Sequence, residues 1–421
     1  MPAKRPKILA VSFALGPKDG SEAGAAWGVV RSLLKVADVD VLVPTLEIEG
    51  LRQWQRENND ERLRVIEVDT SQTSSILWRY NAIPKVAFLS YWMWLHRARK
   101  VGQKEAQRNN YAAAMHVAYG SYWLPSPVVD FGVPSIWGPV GGATRTPFSL
   151  WRYLGLRGIF GELFKYAMVR CVSFLPSIRH TWRSTEYPLA ETENTRRIFP
   201  TEMQKRTRVI NRAALQKVPK RVDKPRQPYI IFPSRVQPRK APYLAVRALL
   251  HAHPDVKLRF VADGMAASGT KKLAKRLGLE DRVEFMGWVP REEMMEMMTE
   301  AAAAVFLGTR EEGGCALAES MQLGTPVIVL GVGGARLLAE TNTDPSRVRI
   351  IEPAMGGQPA RDVGAAMTHF VKNLHPGKDG FLDRESMERK LLDVVEQACG
   401  LDAFVQEEPV PVVIDDAVPV A

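Results

Sequence analysis

Apolar strand-like runs alternate with helical patterns along most of this chain, and the alternation limits the folds that it can adopt. KILAVSFAL, near the start, is followed by a glycine-rich loop, a helical pattern, WGVVRSLLKV, and a second strand-like run, DVDVLVP. Strands that are joined through a helix in this way run parallel. The alternation begins again at YIIFPSRV and continues to PVIVL. The sequence therefore predicts an α/β protein with two successive Rossmann-like halves.

The length of 421 residues also indicates two domains rather than one. The segment 206–228 is rich in Lys, Arg and Pro. We interpret it as the linker between an N-terminal domain, 1–205, and a C-terminal domain, 229–378. A helical pattern lies in 379–401, and the tail 402–421 mixes proline, valine and acidic residues. That tail composition predicts disorder.

Cysteine usage and net charge exclude some classes of protein. Cys171, Cys315 and Cys399 lie far apart without CxxC spacing, which argues against a disulfide framework or a zinc site and fits a reducing, cytoplasmic setting. The net charge of +11 suits an anionic membrane surface or a phosphate-bearing substrate. Because no nucleic-acid-binding signature is present, we do not expect a nucleic-acid partner.

The apolar runs are too short to cross a bilayer, which takes about 18 to 20 residues. The first one is followed at once by charged residues, so we interpret it as a strand rather than a signal peptide. VAFLSYWMWL (Val86–Leu95) precedes HRARK, and Leu150–Trp182 is a second aromatic and basic region. Both regions are compatible with peripheral contact at an inner membrane face. Core helices with basic outer faces are the alternative.

A glycine pair between acidic residues marks the junction of a predicted strand and a predicted helix. Glu311 and Glu312 follow AAAAVFL, and Glu319 lies about one turn into the helix. In open α/β sheets, ligands bind beyond the carboxyl ends of the strands, and free amides at a helix start bind phosphate. The amides in question belong to Gly314, Cys315, Ala316 and Leu317. An acidic helix cap would explain one glutamate well, but it explains Glu311 and Glu319 together much less well.

This stretch resembles the E-x7-E motif of the GT-B glycosyltransferases, specifically the retaining family 4 (glycosyl transferases group 1), whose pattern is close to EGFGxxxxEAMAxGxPVV. Glu311 and Glu319 match its two glutamates, and Gly314 matches its second glycine. Glu312 and Gly313 differ from the commonest form. The resemblance implies two Rossmann-like domains that face each other across a cleft, with the C-terminal helix crossing back to the N-terminal domain.

Other elements of the C-terminal half resemble the same family. SRVQPRKAP resembles its GRLxxxKG element, with Arg235 and Lys240 on the two cations and Ala241 in place of the glycine. Two cations at a strand end would neutralise a diphosphate. RVEFMGWVPREEM resembles VxFLGxVxxEEL, which implies that Val289 lies near the nucleotide base. The resemblance also implies that a loop with two glycines faces the donor sugar and diphosphate: Gly333 and Gly334.

The N-terminal half carries weaker matches. GSEAGAAWG, which includes Gly24, resembles GSEPGxGW, and WGPVGGA resembles the WGPVGGG of one branch. His116 stands where the family tends to have a cleft-lining histidine at a strand end. By itself, a lone histidine is more often a buried structural residue. The resemblance of these N-terminal segments nevertheless implies that the acceptor binds near Gly20–Gly24, His116 and Gly141–Gly142.

The resemblance implies an enzyme that moves a hexose from a nucleotide-diphosphate-sugar to a glycan or lipid-linked acceptor, in bacterial polysaccharide or glycolipid synthesis. It implies that Glu319 binds the ribose and that Glu311 positions the donor sugar. The residues implied in catalysis are Glu311, His116, Arg235 and Lys240. We expect no metal or other cofactor, because cations and helix dipoles can stabilise the diphosphate. The formal DxD motif, Asp38–Asp40, precedes its strand, which is the wrong end for a ligand site.

Three alternatives are compatible with these patterns. A nucleotide-sugar 2-epimerase shares the fold, although the E-x7-E element favours transfer. A catalytically silent nucleotide-sugar-binding subunit is the second, because of the departure at Glu312 and Gly313. A nicotinamide oxidoreductase is the third, since GVGGAR (Gly331–Arg336) is an incomplete GxGxxG pattern between a strand and a helix.

Overall fold

The computed structural model describes residues 5–17, 20–69, 84–218, 224–377 and 379–401. Within them the chain forms two parallel sheets with helices between successive strands. The predicted α/β architecture with two Rossmann-like domains is confirmed. Part of the predicted linker (219–223) and all of the predicted disordered tail (402–421) lie outside the described residues.

The first sheet has seven strands in the order β3-β2-β1-β4-β5-β6-β7. Its strands are β1 (Lys7–Val11), β2 (Asp38–Pro44), β3 (Leu63–Val68), β4 (Ala113–His116), β5 (Ser135–Val140), β6 (Tyr187–Ala190) and β7 (Arg208–Val209). Its helices are α1 (Ser21–Val36), α2 (Ile48–Asn58), α3 (Pro84–Arg108), α4 (Gly155–Cys171), α5 (Pro176–Ser184), α6 (Glu193–Arg196) and α7 (Thr201–Arg206). Short 3-10 helices lie at Thr45–Glu47, Pro127–Asp130, Phe148–Tyr153, Val172–Phe174 and Arg212–Leu215.

The second sheet has six strands in the order β10-β9-β8-β11-β12-β13. Its strands are β8 (Gln227–Phe232), β9 (Lys257–Phe260), β10 (Val283–Phe285), β11 (Ala301–Phe306), β12 (Val327–Leu330) and β13 (Val348–Ile351). Its helices are α8 (Pro242–Ala248), α9 (Ala267–Arg276), α10 (Arg291–Glu300), α11 (Cys315–Gln322), α12 (Gly333–Glu340), α13 (Gln358–Lys372) and α14 (Arg384–Ala398). Short 3-10 helices lie at Pro238–Lys240, Leu249–His251, Glu280–Arg282 and Pro345–Arg347.

The central strands are apolar without alternation because helices cover both faces of each sheet. Every residue of β11 is buried, and so is every residue of β12. At the opposite, amino-terminal edge of the first sheet, Asp40 is buried and pairs with Lys7 at 2.9 Å and with Arg64 at 2.5 Å. The DxD sequence therefore forms structural ion pairs at the edge remote from the strand ends where ligands bind.

A segment of the first half packs into the core of the second. Leu150 and Tyr153 belong to the apolar cluster that surrounds β8 and α13. Tyr153 Oη donates to the carbonyl of Gly356 at 3.0 Å, and Ser149 Oγ donates to that of Pro353 at 3.1 Å. The link from β5 to α4 is therefore anchored to the second domain.

The C-terminal helix α14 packs in the other direction, against the first domain. Met387 and Leu391 join the cluster that contains the buried face of α1. Glu388 accepts a hydrogen bond from Ser32 Oγ at 2.7 Å and pairs with Lys35 at 2.6 Å. The predicted crossing of this helix back to the N-terminal domain is confirmed.

No helix among the described residues has the length and apolar character that a bilayer crossing requires.

Candidate functional site

A sharp turn connects β11 to α11 at the carboxyl end of the second sheet. Gly314 precedes the helix with φ of 71°, in the left-handed region that glycine adopts without strain. A Cβ at this position would also lie 3.0 Å from Leu338 Cδ1. The amides that follow, from Cys315 to Leu317, form the first turn of the helix, as the sequence predicted.

Glu311 forms an ion pair with Lys240 at this turn. The side chains are only 17% and 16% exposed, so solvent screens the pair weakly. The nearby Gly314 amide also favours the charged form of the Glu311 carboxyl group and lowers its pKa. Burial raises the pKa of Glu311, but the Lys240 and Arg239 charges outweigh it and hold the pKa below its ordinary value. Glu311 is therefore a carboxylate that neutralises Lys240 next to the start of α11.

A small cavity separates the ion pair from the first turn of α11. Its volume is about 30 Å³, room for one or two water molecules. The residues that line it are Ser234, Lys240, Phe306, Gly308, Glu311, Gly314, Cys315, Ala316, Leu317 and Ala335. The structure thus brings together Lys240 and the start of α11, which sequence analysis assigned to the diphosphate, and Glu311, which it assigned to the donor sugar.

Glu319 is buried one turn further along α11. Its Oε1 accepts from Arg291 Nη2 at 2.7 Å and from Gln216 Nε2 at 2.9 Å. No described residue donates to Oε2. Burial raises the pKa of Glu319 against the opposing charge of Arg291. One carboxylate oxygen is thus held in place, and the other remains available to accept a hydrogen bond.

Arg291 links this carboxylate to the first domain. A Cβ built on Gly20, the residue that precedes α1, would lie 2.5 Å from Arg291 Nε. The guanidinium therefore fills the space between Gly20 and Glu319. Val289 lies in the loop just before Arg291 and is almost fully buried. The sequence did not identify Arg291 as a site residue.

Of the two predicted diphosphate cations, Lys240 lies in the site and Arg235 does not contact it. Arg235 is exposed, and the structure gives it no ion pair with a described residue. The charge of Arg239, which the sequence analysis did not select, lowers the pKa of Glu311. Ala241 replaces the glycine of the related pattern, and its φ of 49° lies in the left-handed region. This backbone conformation explains why the pattern usually has glycine there.

Glu312 connects the two domains. Its Oε1 accepts from the Thr144 amide at 2.6 Å, and its Oε2 accepts from Thr192 Oγ1 at 3.1 Å. Its main-chain carbonyl accepts from Asn211 Nδ2 at 3.1 Å. Sequence analysis had noted Glu312 only as a departure from the family pattern. The structure makes it the principal acceptor of hydrogen bonds across the cleft at this point.

Gly333 and Gly334 allow the following loop to approach the turn closely. The Gly334 amide donates to the Glu311 carbonyl at 2.8 Å. A Cβ on Gly334 would lie 1.5 Å from the Glu312 carbonyl oxygen, and one on Gly333 would lie 2.4 Å from that of Glu311. Both glycines therefore shape the site by permitting backbone contact, whatever they contribute to ligand binding.

A larger cavity, about 390 Å³, opens at the carboxyl ends of the strands of the first sheet. Its lining comprises Glu22, Tyr119, Gly120, Ser121, Gly141, Gly142, Glu191 and Arg212. The expected acceptor region around Gly141 and Gly142 thus coincides with an open cavity. Gly24 is different, since it is buried within α1 and does not line the cavity.

A charged triad forms the floor of this cavity. Arg212 pairs with Glu22 at 2.5 Å and with Glu191 at 2.7 Å. Arg212 and Glu191 are almost completely buried, whereas Glu22 is partly exposed. Sequence reasoning missed Arg212 and Glu191. The one signal was that Glu191 directly follows a strand of the parallel sheet, where ligand-binding side chains are found.

The predicted cleft-lining position of His116 is wrong. The imidazole is 1% exposed and faces the core on the α3 side. Nε2 lies 3.1 Å from Tyr91 Oη, and Nδ1 lies 3.0 Å from Ser126 Oγ. Burial lowers the pKa of His116 to about 4, so the ring is neutral near pH 7. Because Tyr91 Oη also donates to the Tyr119 carbonyl, His116 supports the cavity wall from behind.

Comparison with known sequences finds a match to one protein family. Residues 216–344 match the family model described as "Glycosyl transferases group 1". A D-inositol 3-phosphate glycosyltransferase of Streptomyces coelicolor is 31% identical over 144 residues, which are 31% of this chain and 32% of that protein. The corresponding enzyme of Mycobacterium sp. (strain KMS) is 34% identical over 116 residues, 26% of each chain. The matches thus span about a third or less of these curated relatives.

Solved structures resemble nearly the whole chain. Anabaena HepE, in complex with UDP and glucose, superimposes with a TM-score of 0.53 at 14% identity and covers 93% of this chain and 100% of that one. The lipopolysaccharide outer core galactosyltransferase WaaB, in its apo form, has a TM-score of 0.54 at 12% identity and covers 92% and 99%. Residues 216–344 thus match the glycosyl transferases group 1 family model, and the chain has the GT-B fold, as the sequence resemblance predicted.

Proposed function

We propose that the protein transfers a sugar from a uridine diphosphate sugar to a hydroxyl group of a glycan or lipid-linked acceptor, with retention at the anomeric carbon. One observation carries the proposal. Lys240, Glu311 and the first turn of α11 meet at the carboxyl edge of the second sheet, and the open cavity of the first domain lies across from them. UDP and glucose in the HepE complex, a protein of the same fold, support a UDP-sugar as the donor.

Donor binding separates Lys240 from Glu311 in this proposal. The cavity beside this ion pair has room for only one or two water molecules, so a diphosphate must take the place of the Glu311 carboxylate on the Lys240 ammonium. The diphosphate then also faces the amides of α11, which favour anions. Glu311, released from Lys240, accepts hydrogen bonds from the donor sugar. Glu319 Oε2 accepts from the ribose.

The transfer then proceeds on one face of the sugar. The acceptor oxygen forms its bond to the anomeric carbon while the bond from that carbon to the phosphate oxygen breaks. The proton of the acceptor hydroxyl passes to the leaving phosphate oxygen, so that UDP is released and no further base is needed. Lys240 and the α11 amides stabilise the charge that develops on the leaving diphosphate. Because these groups supply that stabilisation, the proposed reaction is independent of a metal ion.

In this proposal the enzyme acts at an anionic membrane surface and takes part in polysaccharide or glycolipid synthesis. Helix α4 exposes apolar side chains on one face: Leu156, Phe160, Leu163 and Phe164. Phe148, Phe174 and Leu175, close to the ends of α4, are exposed as well. Apolar patches of this kind are uncommon on surfaces that meet only water, and the net charge of +11 favours anionic lipid.

Binding and product analysis test the proposed function. We expect UDP to raise the melting temperature of the full chain more than GDP, ADP or NADH does, because a ligand of the native state stabilises it by mass action. Glu319→Gln should weaken UDP binding at least about tenfold, or about 1.4 kcal/mol. The exposed Glu385→Gln is the matched control. A preference for NADH, or no response to any nucleotide, would disprove the transferase assignment.

The stereochemistry and the reaction class need a separate measurement. Proton NMR of the product reports the anomeric configuration, and the proposal expects it to equal that of the donor. Formation of a 2-epimer of the sugar without a glycosylated acceptor would instead identify an epimerase. Nucleotide binding with no turnover of any UDP-sugar would identify a binding subunit.

A further inference from the structure

The cavity of the first domain has an unusual charge arrangement for a site that faces a donor diphosphate. Among the described residues, its charged lining consists of Glu22, Glu191 and Arg212. Glu312 approaches the rim, since a Cβ on Gly141 would lie 3.4 Å from Glu312 Cβ. Carboxyl groups therefore outnumber cations among the described residues at the cavity.

Arg212 is already held by two carboxyl groups and one main-chain carbonyl. Nη2 lies 2.5 Å from Glu22 Oε1, Nε lies 2.7 Å from Glu191 Oε1, and Nη1 donates to the Val117 carbonyl at 3.1 Å. The guanidinium is almost completely buried behind these partners. An anionic ligand in the cavity would meet a cation that is already neutralised.

Glu191 presents one oxygen to the cavity. Its Oε1 is held against Arg212, while no described residue donates a hydrogen bond to Oε2. Oε2 faces Gly141, where a Cβ would lie only 2.3 Å away. The absence of a side chain at Gly141 thus leaves this oxygen uncovered. Ser121 and the half-exposed ring of Tyr119 complete a lining of the kind that binds sugar hydroxyls and apolar sugar faces.

We infer that the cavity receives the acceptor through an uncharged, hydroxyl-bearing sugar, that Glu191 accepts a hydrogen bond from an acceptor hydroxyl, and that acceptors with a phosphate on this sugar are excluded. This inference rests on the proposed function and deepens it. A phosphate monoester carries a charge of about −1.5 to −2 at neutral pH. It would be placed beside carboxyl groups, and the cation of the described lining, Arg212, is already paired with two of them. Arg212 acts as a positioning residue that fixes the orientation of Glu191.

The protonation behaviour of Glu191 agrees with this role. Burial raises the pKa of Glu191 despite the Arg212 charge, and the charges of Glu22 and Glu312 raise it further. The cavity therefore disfavours the negatively charged form even of Glu191, which is part of its own lining. A neutral hydroxyl carries no such penalty.

Transfer assays with paired acceptors test the inference. The donor panel is UDP-glucose, UDP-galactose and UDP-N-acetylglucosamine. The acceptors are octyl glucoside, octyl galactoside and octyl mannoside, each compared with its 6-phosphate. We expect kcat/KM for the neutral glycosides to exceed that for their phosphates at least tenfold. Equal or better use of the phosphates, or no glycosylation of any neutral glycoside, would overturn the inference.

Two variants locate the effect at Glu191. Glu191→Gln and Gly141→Ala should raise the KM for the neutral acceptor at least tenfold while the affinity for UDP stays unchanged. The exposed Glu202→Gln is the control. An unchanged acceptor KM in both variants would overturn the role of Glu191. Failure of the proposed function gives a different result, because the wild-type protein would then bind no UDP or would transfer sugar to none of the acceptors, the phosphates included.

Discussion

The Thr144 amide donates a hydrogen bond to Glu312 Oε1 across the cleft, with 2.6 Å between the two atoms. Thr144 follows β5 of the first sheet, and Glu312 follows β11 of the second. The carboxylate is buried, and burial raises its pKa while the Thr144 amide opposes that shift. The contact between the two domains in this structure therefore depends on the hydrogen-bonded carboxyl group of Glu312. This residue directly follows Glu311, which neutralises Lys240.

Removal of the Glu312 carboxylate should loosen the domain contact. We expect Glu312→Gln to lower the free energy of unfolding by about 1.5–3 kcal/mol, the usual contribution of a hydrogen bond to a charged group. Amide hydrogen exchange at Thr144 should accelerate as well, because its acceptor is weakened. The exposed Glu293→Gln serves as the control. Unchanged exchange at Thr144 would show that Glu312 does not hold the cleft closed.

The Lys240–Glu311 pair should show strong energetic coupling. Loss of one partner leaves the other charge largely buried without compensation. Lys240→Met and Glu311→Gln should each destabilise the protein, and the double variant should lose less than the sum. Denaturant unfolding should give a coupling energy of about 1–3 kcal/mol.

The exposed pair Lys205–Glu202 provides the matched cycle for comparison. Water screens these side chains, so Lys205→Met and Glu202→Gln should couple by less than about 1 kcal/mol. If the two cycles gave the same coupling energy, the buried pair would not be the electrostatic centre of the donor site.

His116 should make the protein sensitive to acid. Its pKa is about 4 in the folded state and 6.5 when unperturbed. Between these values the unfolded chain binds a proton that the folded chain does not, so stability falls as the pH drops from 6.5 towards 4. The full difference is about 3 kcal/mol. Above pH 6.5 this contribution is complete and constant.

Comparison of unfolding free energies at pH 7.5 and pH 4.5 checks this prediction. His116→Gln cannot titrate, so the fall between the two pH values should be smaller in the variant than in the wild-type protein. The exposed His180→Gln should keep the wild-type fall. An identical fall in His116→Gln would mean that other groups cause the acid sensitivity.

The exposed face of α4 should control membrane binding. Phe160 and Phe164 are 71% and 70% exposed, so their replacement by serine removes apolar surface without opening the core. Burial of a phenylalanine side chain contributes about 1.5–3 kcal/mol. The double variant should therefore bind vesicles that contain phosphatidylglycerol at least tenfold more weakly. Co-sedimentation measures this binding.

Two comparisons accompany the vesicle experiment. Leu250→Ser removes an exposed apolar side chain from the second domain and should leave binding unchanged. Vesicles of phosphatidylcholine alone should bind the wild-type protein more weakly, because the net positive charge favours anionic lipid. Equal binding of the Phe160 and Phe164 variant would exclude α4 as the contact.

The sequence predicted those features that depend on local order along the chain. The glycine turn before α11 needs a left-handed residue at Gly314, and the spacing of Glu311 and Glu319 follows from that turn and the helix. The parallel sheets follow from alternation, and Asp40 was correctly assigned to the edge opposite the ligand site.

Features that depend on distant parts of the chain were not predictable in this way. Arg212 joins Glu22 to Glu191 only because the sheet order brings three strand ends together. The orientation of His116 depends on the side of the strand on which it falls. Successive residues of a strand face opposite sides, so a position at a strand end does not establish exposure to the cleft.

The exchange of packing segments between the domains has a consequence for where the polypeptide can be divided. Leu150 and Tyr153 fill the core of the second domain, whereas Met387 and Leu391 lie in the cluster that contains the buried face of α1 in the first. A cut in the linker would leave each fragment with a gap in its own core and an apolar segment that fits only the other fragment. Two such fragments, produced separately, should behave as complementary pieces that regain solubility and nucleotide binding when they are mixed.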